Sequence, residues 1–182
     1  MSVFSNPAAR SKEQAFAYTT AVLELLAQRD PLEVLRETPA AVGRLIGGLS
    51  RDQLAAAEAP GKWSMRQVVQ HLADSELVSG FRLRMVLSHD RPQITGYDQD
   101  RWAERLCYDE ADAVQALDDF TALRRANLRL LRRATADDLA RVGVHAERGE
   151  ESVAHMIKLY AGHDLLHLRQ LARIKDVAAA IL

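Results

Sequence analysis

Residues 152–174 of this 182-residue chain read SVAHMIKLYAGHDLLHLRQLARI. Apolar side chains recur there at spacings of three and four, and no proline interrupts them, which is typical of an α-helix with one buried face. Ser152 precedes the apolar pattern, and its hydroxyl can accept a hydrogen bond from an amide of the first turn. We therefore predict a long helix from Val153 to about Ile174, which residues 176–182 can continue.

Two histidines, His163 and His167, lie four residues apart in this predicted helix. Residues at that spacing project from one face of a helix, one turn apart, and two imidazoles placed in this way can bind one metal ion. The same spacing also arises by chance. The pair alone therefore leaves open both a metal site and two ordinary helical histidines.

A third histidine, His71, lies in another predicted helix. That helix runs from about Met65 to Leu87, and Ser64 with Gln67 forms the capping-box pattern that begins it. Three histidines with one vacant position are typical of a catalytic rather than a structural metal. Considered alone, His71 can equally be a core histidine that is bonded to a backbone carbonyl.

The remaining sequence predicts further helices and no strand, because no alternation of apolar and polar residues is long enough. These helices cover about residues 12–28, 32–47 and 109–133, the last capped by Asp109 or Asp112. Pro39 is expected to begin a separate helical piece, since proline fits the first turn of a helix better than its interior. Residues 89–108 form a long connection, and residues 143–149 form a loop. His145 in that loop is expected to be exposed to solvent, and the alternative is that it reaches the mouth of a site. We predict an all-α fold, a four-helix bundle with a long crossover connection.

The composition excludes several classes of protein. Lys and Arg total 24 against 25 for Asp and Glu, so the formal net charge of −1 gives no sign of a nucleic-acid-binding surface. The apolar runs are far too short to span a bilayer, and the N-terminus lacks the pattern of a secretory signal. Cys107 is the single cysteine, so no internal disulfide can form. We expect a cytoplasmic protein of one domain, residues 1–182, with no nucleic-acid or membrane partner.

Several motifs together resemble the DinB-like superfamily, and within it the YfiT-like group of metal-dependent hydrolases and thiol S-transferases. In chain order they are Gly61-Lys62-Trp63-Ser64, His71-Leu72-Ala73-Asp74-Ser75-Glu76, Pro92-Gln93-Ile94, Tyr97-Asp98, Trp102-Ala103-Glu104 and His163-Asp164-x2-His167-x2-Gln170. The resemblance covers residues 31–175. It leaves residues 1–30 as an N-terminal helical extension.

The resemblance implies a four-helix bundle, usually a homodimer, that holds one divalent metal ion on three histidines. The residues that match these ligands are His71, His163 and His167. Imidazole suits zinc, nickel and iron alike, so the identity of the metal stays open. One family arginine can match either Arg124 or Arg125.

Three further residues are candidates for binding a small-molecule substrate. Ser75 and Arg82 share a helical face with His71, and Tyr160 lies three residues before His163. Arg82 can hold an anionic group in bidentate fashion, or it can pair with a protein carboxylate. Ser75 can instead ease helix packing, and Tyr160 can be a core residue. Glu76 points away from the metal and is expected to tie helices together.

Three functions remain open at this stage. The first is metal-dependent hydrolysis of a small electrophilic substrate, in which the metal activates water. The second is transfer of a low-molecular-weight thiol, such as bacillithiol or mycothiol, which some members of the family use. The third is a non-catalytic, stress-related bundle that binds metal. The sequence assigns no catalytic residue beyond the metal ligands.

Overall fold

Four long helices form the bundle, and a fifth packs against its outside. A computed structural model describes residues 12–181, with side chains described from residue 15 onward. The helices are α1 (Lys12–Leu26), α2 (Pro31–Ile46), α3 (Arg51–Leu54), α4 (Met65–Ser88), α5 (Gln99–Arg105), α6 (Ala113–Leu131), α7 (Ala136–Ala140) and α8 (Val153–Ala178). Helices α2, α6, α4 and α8 surround the core in that order, and α1 packs on α8. The predicted four-helix bundle is confirmed.

Side-chain caps fix where the bundle helices begin. The Asp30 carboxylate accepts from the Leu32 amide at 2.9 Å, and the Asp112 carboxylate accepts from the Val114 amide at 2.8 Å. Asp112, rather than Asp109, therefore caps α6. Ser152 Oγ accepts from the His155 amide at 3.1 Å and begins α8, as predicted. Helix α8 continues to Ala178, as the sequence allowed.

Helix α2 runs without a break through Pro39, so the prediction that Pro39 begins a separate helical piece is wrong. Proline has no amide hydrogen, and it therefore leaves the Leu35 carbonyl oxygen, four residues earlier, without its helical donor. Arg124 Nη1 donates to that oxygen at 2.6 Å. A buried guanidinium from α6 thus supplies the hydrogen bond that the proline cannot.

The structure adds a small three-stranded sheet that the sequence analysis missed. Its strands are β1 (Gln93–Ile94), β2 (Val142–His145) and β3 (Gly149–Ser152). Strand β2 pairs in parallel with β1 and forms an antiparallel hairpin with β3. Gly143 permits the close approach to α4, because a Cβ there would lie 2.7 Å from a methyl carbon of Val86. Residues 143–149, predicted to form a loop, instead belong to the hairpin of β2 and β3.

The connection between α4 and α6 is ordered by short elements. It contains β1, α5 and a 3₁₀ turn at Tyr108–Glu110. The rings of Tyr97 and Trp102 pack with their centroids 4.6 Å apart. Within residues 12–181, none of the helices combines the length and the apolar character that a membrane crossing requires.

Two apolar clusters fill the bundle, and a layer of buried polar residues separates them. Along α4, the buried apolar residues between 65 and 73 belong to one cluster, and Leu83 and Val86 belong to the other. Along α8 the order is reversed, with residues 153–161 in the second cluster and residues 171–178 in the first. The polar residues between them are His71, Ser75, Glu76, Ser79, Arg82, Arg124, Asn127, His163, Asp164, His167 and Gln170. The candidate site lies in this layer.

Candidate metal centre

Three histidines from two adjacent helices meet in the polar layer. His163 Nε2 lies 3.1 Å from His71 Nε2 and 3.1 Å from His167 Nε2. Their potential ligand atoms all lie within 4.8 Å of one another, and no other such cluster of ligating side chains occurs among the described residues. Helix α4 supplies His71, while one turn of α8 supplies the other two. The structure thus brings together all three predicted metal ligands.

The chemistry of these nitrogens fits a metal ion. Burial lowers the pKa of His71 and His163 well below the usual value, and it lowers the pKa of His167 to about 4, so all three rings are neutral near pH 7. One proton can bridge only one of the two Nε2 contacts of His163. A cation that accepts all three lone pairs satisfies them together. The contacts are close to the roughly 3.3 Å expected between nitrogens in a tetrahedral zinc site with bonds of about 2.0–2.1 Å.

Neighbouring groups orient the His167 and His71 rings. Gln170, one turn further along α8, accepts through Oε1 from His167 Nδ1 at 2.9 Å. The hydrogen on Nδ1 leaves the lone pair of Nε2 directed at the cluster, as such partners do in metal sites. The Trp63 ring packs against the His71 ring with centroids 4.9 Å apart. Both neighbours belong to the sequence motifs quoted above.

A buried ionic network joins α4 and α8, the helices that carry the histidines, to α6. Arg124 contacts both oxygens of Asp164 at 2.6 and 3.1 Å, and its Nη2 lies 2.9 Å from Glu76 Oε2. Asn127 Nδ2 donates to Glu76 Oε1 at 2.8 Å. Burial alone would lower the pKa of Arg124, but the two carboxylates raise it above its ordinary value. Arg124, not Arg125, is therefore the buried arginine, and Glu76 ties helices together as predicted.

A cavity of about 90 Å³ opens beside the histidines, and His163 and His167 form part of its wall. The three predicted substrate-binding residues, Ser75, Arg82 and Tyr160, all line it. Ser75 Oγ lies 3.2 Å from the Tyr97 hydroxyl, and Arg82 Nη1 donates to the Tyr160 hydroxyl at 3.2 Å. The structure places these side chains beside the three histidines, and their role in binding stays a prediction.

The cavity wall also contains residues that the sequence analysis did not assign to a site. Tyr18 and Thr19 come from α1, and Arg148 and Glu151 come from the hairpin of β2 and β3. Arg148 donates to Glu151 Oε2 through Nη2 at 3.0 Å, and a second bond runs from its Nε. No local motif marks these residues, because helix and hairpin meet only in the folded chain.

His145 is the clearest correction: the expectation of a solvent-exposed loop residue is wrong, and its position agrees with the alternative, a side chain that reaches the site. The side chain is 2% exposed and lines the cavity. In β2 the residues alternate between the two faces, so Gly143 and His145 both point inward while Val142 and Val144 do not. No signal in the sequence indicates this, because its apolar positions in β2 are the two valines, whereas the buried positions are Gly143 and His145.

The sequence comparison agrees with this geometry. The sequence profile of the DinB superfamily matches residues 34–171, a range that contains all three histidines. The chain belongs to the DinB superfamily. Helix α1, which ends at Leu26, lies outside the range of the DinB profile, although it supplies part of the cavity wall.

Similar proteins in this superfamily carry a related description. A protein of Oceanobacillus iheyensis, provisionally named a metal-dependent hydrolase, is 31% identical over 145 residues, covering 78% of this chain and 84% of that protein. A protein of Bacillus mycoides with the same provisional name is 28% identical over 145 residues, covering 80% and 83%. The structure of YfiT from Bacillus subtilis, described as a probable metal-dependent hydrolase with an unusual four-helix bundle topology, matches with a TM-score of 0.77 and 26% identity, covering 93% of this chain and 90% of YfiT.

Proposed function

We propose that this protein is a metal-dependent hydrolase in which His71, His163 and His167 hold one divalent ion, either zinc, nickel or iron. The observation that carries the proposal is the convergence of three neutral imidazoles on the wall of a polar cavity. The provisional names of its relatives support the same reaction class. The substrate is a small electrophile, such as an ester or an amide, that fits the cavity.

The residues of the chain have distinct tasks in this proposal. A divalent ion on three imidazoles supplies Lewis acidity, which activates water and polarises a carbonyl. Gln170 keeps the His167 ring in the ligating tautomer. Met156, Leu159 and Leu166 give the cavity an apolar side, which limits the access of bulk water, and Ser75, Tyr97 and Tyr160 give it hydroxyl groups that can orient a substrate.

The number of ligands favours catalysis over a purely structural metal. Structural zinc sites usually have four protein ligands, whereas catalytic sites have three and an open position. The cluster contains three potential ligands among the described residues, and two of them line the cavity. An ion held here would therefore face the space in which a substrate can bind.

We expect the His167→Ala variant, purified without a histidine tag, to lack stoichiometric metal. Its affinity for a divalent ion should be more than about 100-fold lower than that of the wild type. Loss of a ligand should exceed the roughly 10- to 100-fold effect of losing a residue that only orients a ligand. Gln170→Ala is expected to lower the metal affinity by an amount within that smaller range. Elemental analysis and competition with a chelator measure both. His155→Ala, on the same helix but outside the cluster, is the matched control.

Hydrolysis is tested by the turnover of small ester and amide substrates with metal-loaded protein, in the presence and absence of an added low-molecular-weight thiol. We expect turnover without thiol, and a loss of at least about 100-fold in His71→Ala and in chelated protein, because water activation depends on the metal. Turnover that requires the thiol would favour thiol transfer instead. Equal rates in wild type and His71→Ala would show that the activity arises elsewhere.

A further inference from the structure

Arg82 is a buried cation without a carboxylate partner among the described residues. Its side chain is 9% exposed, and its bonds go to neutral oxygens: Nη2 donates to the Thr95 carbonyl at 2.6 Å and Nη1 to the Tyr160 hydroxyl at 3.2 Å. The guanidinium also lies 5.9 Å from the centroid of the Tyr97 ring. Buried charges in proteins are normally paired, and an arginine has five donor hydrogens, so this side chain retains both charge and hydrogen-bonding capacity for a ligand.

His145 provides a second unused donor at the same cavity. The amide of Glu147 donates to His145 Nδ1 at 3.2 Å, so Nδ1 is the acceptor and the hydrogen of the neutral ring lies on Nε2. Burial, and after it the charges of Arg148 and Arg82, lower the pKa of His145 to about 4, which keeps the ring neutral near pH 7. His145 Nε2 is buried and has no hydrogen-bond partner within the part of the chain that the structure describes. Such a donor is costly to leave unsatisfied.

The small sheet places the carbonyl that accepts from Arg82 close to His145. Ile94 of β1 is paired with His145 of β2, and the Ala146 amide donates to the Ile94 carbonyl at 3.2 Å. Thr95, whose carbonyl accepts from Arg82, is the next residue after Ile94. Paired strands lie about 4.8 Å apart, so the register brings the anchor of Arg82 next to His145.

The other charges on the cavity wall limit what these donors can bind. Arg148 is already paired with Glu151 through two hydrogen bonds. Glu147, also on the wall, adds a negative charge that would repel a doubly charged ligand. Arg82 is thus the one arginine of the wall without a paired carboxylate in the described part of the chain. Apart from the charge that an ion on the histidines would add, it matches one negative charge of a ligand. A planar carboxylate satisfies this better than a phosphate dianion.

We propose that Arg82 and the Nε2–H of His145 form a subsite that binds a carboxylate group of the substrate beside the metal centre. This inference rests on the proposed function, because it places the carboxylate on the molecule that the metal centre hydrolyses. The substrates are then small carboxylic acids that carry a hydrolysable ester or amide bond elsewhere in the molecule. The hairpin of β2 and β3 contributes directly to their selection.

The test is a titration of metal-loaded and metal-free protein with benzoate, benzamide and inorganic phosphate, followed by NMR of 15N-labelled histidine side chains. Benzoate is expected to shift the Nε2–H signal of His145 in both forms, and to bind at least about tenfold more tightly than benzamide or phosphate. Arg82→Gln and His145→Phe should each weaken benzoate binding about tenfold or more, since a hydrogen bond to a charged group is lost. Arg66→Gln, at an arginine of the same helix that does not line the cavity, is the matched control and should leave binding unchanged.

Three results would overturn the subsite. The first is equal binding of benzoate and benzamide, and the second is tighter binding of phosphate than of benzoate by the metal-free protein. The third is benzoate binding that vanishes with the metal but survives Arg82→Gln, which would assign the carboxylate to the ion. Arg82 also donates to the Thr95 carbonyl, so its replacement could displace the neighbouring strand. Two controls address this: the Arg82→Lys variant, which keeps the positive charge, and the backbone NMR spectrum of each variant, which shows whether the strand has moved. Benzoate binding by a protein that hydrolyses nothing would retain the subsite and reject the proposed hydrolase.

Discussion

Arg124→Met is expected to lower the free energy of unfolding by about 3–5 kcal/mol, the usual cost of removing one partner from a buried ion pair. Arg124 is 3% exposed and contacts two carboxylates, Glu76 and Asp164, that are buried as deeply. Methionine fills similar space but leaves both charges without a counterion. It also removes the donor that satisfies the Leu35 carbonyl opposite Pro39. Urea unfolding at pH 7.5 measures the change.

Arg125→Met is the matched control for this prediction. Arg125 is the next residue on α6, and its side chain is exposed. Substitutions at such surface positions usually change stability by less than about 0.5 kcal/mol. If the two variants unfold at the same urea concentration, the buried network contributes nothing particular, and the assignment of Arg124 rather than Arg125 as the structural arginine loses its support.

The helices and the pairing of His163 with His167 could be predicted from the sequence because their signals are local. Apolar spacing predicted α4 and α8, and the capping residues Ser64 and Ser152 marked their first turns to the residue. The spacing of His163 and His167 followed from helical periodicity alone. His71 was different, since only its place among the family motifs raised it above an ordinary core histidine.

The remaining features depend on contacts between residues that are distant in sequence. Pro39 stays inside α2 because Arg124, 85 positions later, bonds to the carbonyl that the proline cannot use. His145 becomes buried because β2 pairs with β1, and β1 is only two residues long. No window of local sequence contains either partner. In α2, this tertiary hydrogen bond therefore outweighs the local preference of proline for the first turn of a helix.

Helix α1 shows the same limit at the cavity. Its apolar pattern predicted a helix, but nothing in residues 12–26 indicates that Tyr18 and Thr19 reach the wall beside the histidines. They do so because α1 packs closely along α8. The two helices are in close backbone contact at Gly162, directly before His163, and the sequence alone shows only a glycine in the middle of a helix.

Gly162→Ala tests how strongly this contact holds the cavity together, and we expect a loss of about 1–3 kcal/mol, the range found for overpacked cores. A Cβ at Gly162 would lie 2.0 Å from the carbonyl oxygen of Val22 and 2.6 Å from its carbonyl carbon. The obstacle is backbone, which cannot rotate away as a side chain can. Helix α1 must therefore move off α8 and carry Tyr18 with it. Urea unfolding and faster amide hydrogen exchange within residues 15–26 report the two effects.

Gly43→Ala separates this clash from the general effect of replacing a helical glycine. Gly43 lies inside α2, where a Cβ would meet only a methyl carbon of Leu117 at 3.5 Å, an ordinary contact. Alanine there should be neutral or should stabilise the protein by up to about 1 kcal/mol, because glycine is the poorer helix former. The two substitutions are chemically identical, so opposite signs would arise from the backbone of Val22 alone. A Gly162→Ala protein that matches Gly43→Ala in stability, with α1 still protected from exchange, would show that α1 is only loosely held and does not shape the cavity.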